Sequence, residues 1–68
     1  MKKGQSYSFE AIEKFAEDEN FGITEHGGSH IGKNFVVLEH ESKDIVVSFV
    51  LTGATGGGFI YECVYSDL

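Results

Sequence analysis

The spacing of the apolar residues changes once along this chain, at Asn20, and this change limits the folds open to it. Before Asn20 an apolar stripe follows the period of an α-helix and consists of Phe9, Ile12, Phe15 and Ala16. After Asn20 the apolar residues alternate with polar ones or run in short β-branched segments, which is the pattern of strands. We therefore expect an α+β domain with one N-terminal helix followed by a sheet.

The start of the helix is predicted by Ser8 and the acidic residues that follow it. The Ser8 hydroxyl can accept a hydrogen bond from an amide of the first turn, as a helix N-cap does. Glu10 and Glu13 come next, and the positive end of the helix dipole favours acidic side chains there. The sequence predicts a helix over residues 8–18, preceded by a polar lead-in over residues 1–7.

The rest of the chain predicts a three- to four-stranded antiparallel β-meander over residues 21–65. Two of its segments are rich in β-branched and aromatic side chains and flank a short polar turn, so they are expected to form a hairpin. The glycine-rich residues 53–58 predict a long flexible connection before the last strand. The predicted strands cover residues 21–24, 35–38, 45–51 and 59–65. The helix is expected to pack its apolar stripe on one face of this sheet.

A chain of 68 residues forms one domain with a thin core. Cys63 is the single cysteine, which excludes a disulfide within the chain and fits a reducing compartment. No apolar run resembles a signal peptide, and none is long enough to span a bilayer. We therefore expect one cytoplasmic domain over residues 1–68, without a membrane partner.

The charge of the chain narrows the class of partner. Eleven acidic residues stand against five lysines and no arginine, and the net charge is −6 at pH 7. Nucleic-acid binding depends on lysine and arginine contacts to phosphates, so we do not expect a nucleic-acid partner. The same negative charge would attract a basic protein.

One short helix can cover only one face of a sheet whose strands are apolar on both faces. The opposite face is then expected to expose Val46, Val50, Ile60 and Val64. An exposed apolar surface commonly marks an interface, so these four residues are candidates for binding a partner protein or a second copy of the chain. The alternative is that these residues stand there only because β-branched side chains favour strands.

Strict alternation along the last strand predicts a second set of residues on the face that meets the helix. It places Cys63 together with Phe59, Tyr61 and Tyr65. A reactive thiol needs an electropositive setting, which this acidic chain does not provide. We therefore interpret Cys63 as an inert packing residue.

The glycine-rich segment over residues 26–33 is the second candidate binding site. It brings together His26, Ser29 and His30, and histidine is the side chain best suited to proton transfer near neutral pH. The alternative is a turn in which the glycines allow the backbone conformation that the turn needs and the histidines are surface residues without a function. Adjacency of Ser29 and His30 does not make a nucleophile–base pair, so no catalytic residue is assigned.

A metal site and a cofactor site are not predicted. Zinc needs three or four converging ligands, and the chain offers only His26, His30 and His40 without a cysteine pair. The glycines of residues 53–58 precede a strand, whereas a phosphate-binding loop precedes a helix and carries a lysine.

The stretch from Phe21 to His30 ends in Gly28, Ser29 and His30 and resembles the start of HicA-type toxins of toxin–antitoxin pairs. Those are small ribonuclease-like proteins with a double-stranded-RNA-binding-like fold, in which a helix and a strand precede a Gly-Ser/Thr-His motif. The resemblance implies that the catalytic histidine of that motif would fall on His30. Those toxins are basic and end in a helix, whereas this chain is acidic and its last segment predicts a strand.

Taken together, the charge and the exposed valines favour a small acidic protein-binding or accessory module, of the inhibitor, immunity or phage type, over an enzyme. Two alternatives stay open. One is an RNA-cleaving toxin-type protein that uses His30, and the other is a self-associating structural subunit.

Overall fold

A computed structural model of the chain describes residues 1–27 and 34–68. Within these residues the elements follow the order β1 (Ser6–Ser8), α1 (Phe9–Glu19), β2 (Phe21–His26), β3 (Phe35–His40), β4 (Val46–Thr55) and β5 (Gly58–Ser66). The strands form one antiparallel sheet in the order β1-β5-β4-β3-β2. The predicted α+β arrangement of one helix and an antiparallel sheet is confirmed, and the sheet has five strands where three or four were expected.

Both ends of α1 are capped by residues that the local sequence provides. The Ser8 hydroxyl oxygen accepts a hydrogen bond from the amide of Ala11 at 3.1 Å, which confirms the N-cap. At the other end Asn20 adopts the left-handed conformation, with φ 63° and ψ 47°, and its amide donates to the carbonyl of Ala16. Asparagine tolerates this conformation better than most residues, so the chain can leave the helix and enter β2 at once.

The strand that the sequence did not predict is β1, which precedes the helix. Tyr7 in β1 pairs with Tyr61 in β5. The adjoining backbone is bound as well, because Gly4 donates to the carbonyl of Cys63 at 2.8 Å and Cys63 donates to the carbonyl of Gln5 at 2.9 Å. The polar stretch over residues 1–7 therefore contains part of the sheet, since strand pairing uses backbone groups that every sequence carries.

The helix crosses the sheet from one edge to the other. Because every pair of neighbours is antiparallel, the two edge strands β1 and β2 run in the same direction. Strands that run in the same direction cannot be joined by a tight turn and need a crossover segment. Helix α1 is that segment, and it contacts β1, β2 and β5.

The core lies between α1 and the face of the sheet that α1 crosses. Aromatic pairs hold the helix at both ends: Phe9 lies 5.8 Å from Tyr61 on β5, and Phe15 lies 5.4 Å from Phe21 on β2, between ring centroids. The buried residues are Ile12, Ala16, Phe21, Val36, Leu38, Val47, Phe49, Tyr61 and Cys63. The face of the helix predicted to be apolar is therefore the one that meets the sheet.

The connection between β4 and β5 is a tight turn rather than the long flexible loop expected over residues 53–58. Strand β4 continues to Thr55, which pairs directly with Gly58, so only Gly56 and Gly57 form the turn. The Thr55 hydroxyl oxygen accepts from the amide of Gly57 at 3.2 Å. Gly58 has φ +128°, a conformation that other residues rarely adopt, which explains one glycine of the run.

A β-bulge at Val64 changes which face the end of β5 presents. Cys63 pairs with Phe49 and Tyr65 pairs with Ser48, so Val64 has no partner across the ladder. One extra residue reverses the alternation of the side chains that follow it. Tyr65 therefore lies on the face opposite the helix, and its predicted placement beside Cys63 on the core face is wrong.

Two neighbouring valines on β4 test this division of the sheet into two faces. Val47 is buried, whereas Val46 is only half-buried on the other face. Val47→Asn should lower the free energy of unfolding by about 3 kcal/mol or more, because it loses apolar burial and leaves an amide without partners. Val46→Asn should lower it by only about 1 kcal/mol or less. Urea denaturation followed by circular dichroism measures both, and equal losses would contradict the assignment of the faces.

Candidate functional site

The face of the sheet that points away from α1 is the largest surface that the sequence singled out, and we call it the open face. No helix of the described residues lies over it. Its residues are identified by their register with buried neighbours: Thr24, His26, Phe35, Val37, Glu39, Val46, Ser48, Val50, Ile60, Glu62 and Tyr65. The open face is therefore a mixed surface of apolar side chains with two carboxylates.

One row of directly paired residues runs across the open face over all five strands. His26 pairs with Phe35, Phe35 with Val50, Val50 with Glu62, and Glu62 with Ser6. Neighbouring strands lie about 4.8 Å apart, so His26 and Val50 are separated by roughly 10 Å across the sheet. The structure thus brings together two residues that the sequence placed in separate candidate sites.

Two aromatic side chains are the large apolar groups most exposed on the open face. Phe35 is 49% exposed and Tyr65 is 51% exposed, whereas Val37, Val46 and Val50 are half-buried. Sequence reasoning did not select Phe35, Val37 or Tyr65. Alternation with the buried Val36 and Leu38 would have placed Phe35 and Val37 on the open face. Nothing in the sequence reveals the bulge that moves Tyr65 to that face.

The four valine and isoleucine candidates do not occupy equivalent places. Val46, Val50 and Ile60 lie on the open face and are half-buried. Val64 is 40% exposed and stands at the bulge, outside the paired rows. Ile60 pairs with Ser8 and Gly53, so it lies at the end of the open face that is nearest to the start of the helix.

Two carboxylates lie among the apolar side chains of the open face. Glu62 stands between Ser6 and Val50 in the row described above, and Glu39 pairs with Val46. In the part of the chain that the structure describes, no lysine lies on a strand. The carboxylates of the open face therefore have no cation beside them on the sheet.

Asp67, the residue that follows β5, is hydrogen-bonded to β4. The amide of Val46 donates to the Asp67 carboxylate at 2.9 Å, and the Asp67 amide donates to the Val46 carbonyl at 3.0 Å. The Tyr65 hydroxyl donates to the other carboxylate oxygen. The hydrogen bonds from Tyr65 and Val46 lower the pKa of Asp67, and the same contact with Asp67 raises the pKa of Tyr65. This network holds the Tyr65 ring in place on the open face.

The two histidines in the described part of the chain, His26 and His40, do not converge. His40 has a structural role, because its Nδ1 accepts from the amides of Ser42 and Lys43 at 3.1 Å each and its ring stands edge-on to Phe21 at 5.0 Å. His26 is exposed at the far end of the hairpin of β2 and β3, five register positions away from His40. These two histidines cannot share a metal ion, since they lie at opposite ends of the same pair of strands.

The other two candidates of the glycine-rich segment, Ser29 and His30, lie outside the described residues. The binding role predicted for them, and the toxin-type catalytic role of His30, stay predictions. Within residues 1–27 and 34–68, no three histidine, cysteine or acidic side chains come together as a metal site.

The thiol of Cys63 is buried in the core. Its Sγ donates to the carbonyl of Tyr65 at 3.4 Å, and burial raises the pKa of the thiol. A raised pKa leaves less of the nucleophilic thiolate at neutral pH. The interpretation of Cys63 as a packing residue agrees with this environment.

A shallow apolar cavity of about 350 Å³ lies on the β4–β5 hairpin and was not foreseen from the sequence. It lies at a second irregularity of the ladder, where Leu51 pairs with Tyr61 and Gly53 with Ile60. Thr52 has no partner in this register, and its hydroxyl donates to the carbonyl of Ile60 at 3.2 Å. Its lining residues are Leu51, Thr52, Gly53, Ala54 and Phe59. None of these side chains is charged, so the cavity offers room for an apolar group and no chemistry of its own.

Comparison of the chain with models of protein families, with curated proteins and with solved structures found no match. Among the described residues no helix has the length and apolar character needed to cross a membrane.

The contact between Asp67 and Tyr65 predicts a specific acid sensitivity. Because the folded pKa of Asp67 lies below its ordinary value of 3.8, its contribution to stability is present above that value and is lost as the pH falls. Asp67→Asn should therefore reduce the loss of stability between about pH 5 and about pH 2. Urea midpoints measured across this range test the effect. Glu13→Gln on the exposed side of the helix is the control, and equal pH profiles for wild type and Asp67→Asn would contradict the role of Asp67.

Proposed function

We propose that this protein is a small acidic binding module that holds a basic partner protein on its open face, in the manner of an inhibitor, immunity or accessory protein. One observation carries the proposal: the open face combines exposed aromatic and half-buried aliphatic side chains with carboxylates that have no lysine beside them on the described strands.

The apolar part of the open face would provide most of the binding free energy. Phe35 and Tyr65 are the natural anchors, because aromatic side chains dominate the energetics of interfaces and both are about half exposed. Tyr65 is held in place by Asp67, so binding would cost little side-chain entropy there. The half-buried valines between them would complete a surface that excludes water.

The carboxylates would decide which partner can bind. Covering the open face removes water from Glu62, which stands next to Val50 in the row across the sheet. A carboxylate that loses water without gaining a cation opposes binding, whereas a lysine or arginine of the partner compensates for the loss. Two copies of this chain meeting face to face would bury Glu39 and Glu62 without any strand lysine to pair with them. The charges of the described strands therefore favour a basic partner over self-association.

Capture of the partner from the native cell at low salt tests the proposal. Wild-type protein should retain a basic protein in stoichiometric amount, and Phe35→Ser should lose most of it because the exposed ring is the main anchor. Leu68→Ser is the matched control, since Leu68 is 57% exposed but lies outside the sheet. Equal recovery by all three proteins would mean that the open face does not bind the partner.

Salt dependence provides a separate test of the electrostatic part. Surface charges are screened over about 10 Å at 0.1 M salt, so recovery should fall as the salt concentration rises. Glu62→Gln should weaken this dependence, because one of the interfacial charges is gone. Recovery of RNA in place of a protein would contradict the proposal and would support the alternative that depends on His30.

A further inference from the structure

We infer that the edge strand β2 (Phe21–His26) is a second docking element, which receives an extended segment of alternating basic and apolar residues as a sixth strand of the sheet. The inference rests on the proposed function for the basic character of the partner. It depends on the edge of the sheet, however, whereas the proposed function depends on the open face.

The backbone geometry of β2 determines which of its groups point outward. The Glu41 amide donates to the Asn20 carbonyl at 3.0 Å, immediately before β2, and this bond sets the phase of the ladder between β2 and β3. Hydrogen-bonded and non-bonded pairs alternate in an antiparallel ladder, so Gly22, Thr24 and His26 direct their backbone groups toward β3. The amides and carbonyls of the intervening residues Phe21, Ile23 and Glu25 therefore point away from the sheet.

β2 has few of the features that usually protect an edge strand. Natural edges are commonly blocked by proline, by charged side chains and lysine above all, by a bulge or by very short length, and of these β2 has only the charge of Glu25. β2 has neither proline nor lysine, and it pairs with β3 through six consecutive residues without a bulge. The other edge strand, β1, has only three residues. Among the described strands, β2 is therefore the edge that offers a regular ladder for an added strand.

The charge around β2 selects the occupant. Between Glu17 and His26 the chain carries four carboxylates, on Glu17, Asp18, Glu19 and Glu25, and no lysine or arginine. The first three lie in the last turn of α1, where the helix dipole adds further negative potential. One of them, Asp18, already pairs with Lys14 on the helix at 3.3 Å, so the charges that attract a partner are those of Glu17, Glu19 and Glu25. A second copy of the chain added at this edge would bring the same carboxylates together, which is unfavourable, whereas a basic strand would be attracted.

The alternation of the sheet gives the sequence pattern of the added strand. Its side chains on one face would lie beside Ile23 and Glu25, where lysine or arginine can reach the carboxylates. Its side chains on the other face would lie beside Thr24 and His26 and would extend the open face. A basic residue at every second position, with apolar residues between, satisfies both faces at once.

Amide hydrogen exchange of the full chain with a synthetic peptide tests the inference. The probe is a short capped peptide of alternating lysine and valine, and its control has glutamate in place of each lysine. The lysine peptide should slow exchange of the Ile23 and Glu25 amides by at least about tenfold, because they gain partners, while the Gly22 and Thr24 amides are already bonded. Unchanged exchange at Ile23 and Glu25 at the highest soluble peptide concentration, or equal protection by the glutamate peptide, would overturn the inference.

Three variants separate the edge from the open face. Ile23→Pro removes an outward amide and leaves the bonds to β3 in place, so it should abolish the protection of the Glu25 amide. Glu25→Lys keeps the backbone and reverses the charge, so it should weaken binding of the lysine peptide even if the proline variant does not fold. Phe35→Ser should reduce peptide binding less than Glu25→Lys does, because Phe35 lies on β3, one strand further from the added strand. If Phe35→Ser loses the cellular partner while Ile23→Pro and Glu25→Lys retain it, the edge inference fails and the proposed function stands. If Ile23→Pro and Glu25→Lys lose the partner while Phe35→Ser retains it, the open face is rejected as the partner's site.

Discussion

The packing of α1 on one face of the sheet is the contact on which the rest of the structure depends. Ile12 and Ala16 are almost completely buried in the same cluster as Leu38 and Val47. A chain this short has no disulfide and a thin core, so this single layer of contacts has to offset most of the conformational entropy lost on folding. The helix also joins the two edge strands β1 and β2. The strand order of the sheet therefore depends on the same packing of the helix.

The two surfaces proposed to bind a partner are consequences of that constraint. A helix of 11 residues covers one face, and the apolar side chains of the other face then lie open or half-open. Because the helix crosses from β1 to β2, its acidic C-terminal turn ends directly beside the edge strand β2. The open face and this edge therefore meet along Thr24 and His26, and both combine apolar or backbone groups with carboxylates.

The sequence predicted the structural elements that depend on interactions between residues close together in the chain. The cap at Ser8, the apolar stripe of the helix and the hairpin of β3 and β4 depend on neighbours along the chain, and these were anticipated. Strand β1 was not, because three residues are too few to show a period and their pairing uses only backbone groups. The bulge at Val64 was not anticipated either, since it results from how β5 fits β4, and it moved Tyr65 to the opposite face.

The sequence by itself determined the α+β class, the acidic charge and the presence of more apolar strand surface than one helix can cover. These depend on composition and period, which are properties of the chain alone. Only the tertiary structure decided that Phe35 and Tyr65 are exposed on the open face, that His26 stands in one row with Val50, and that β2 is a free edge among the described strands. Register and strand order decide these features, because they arise from contacts between residues far apart in the chain.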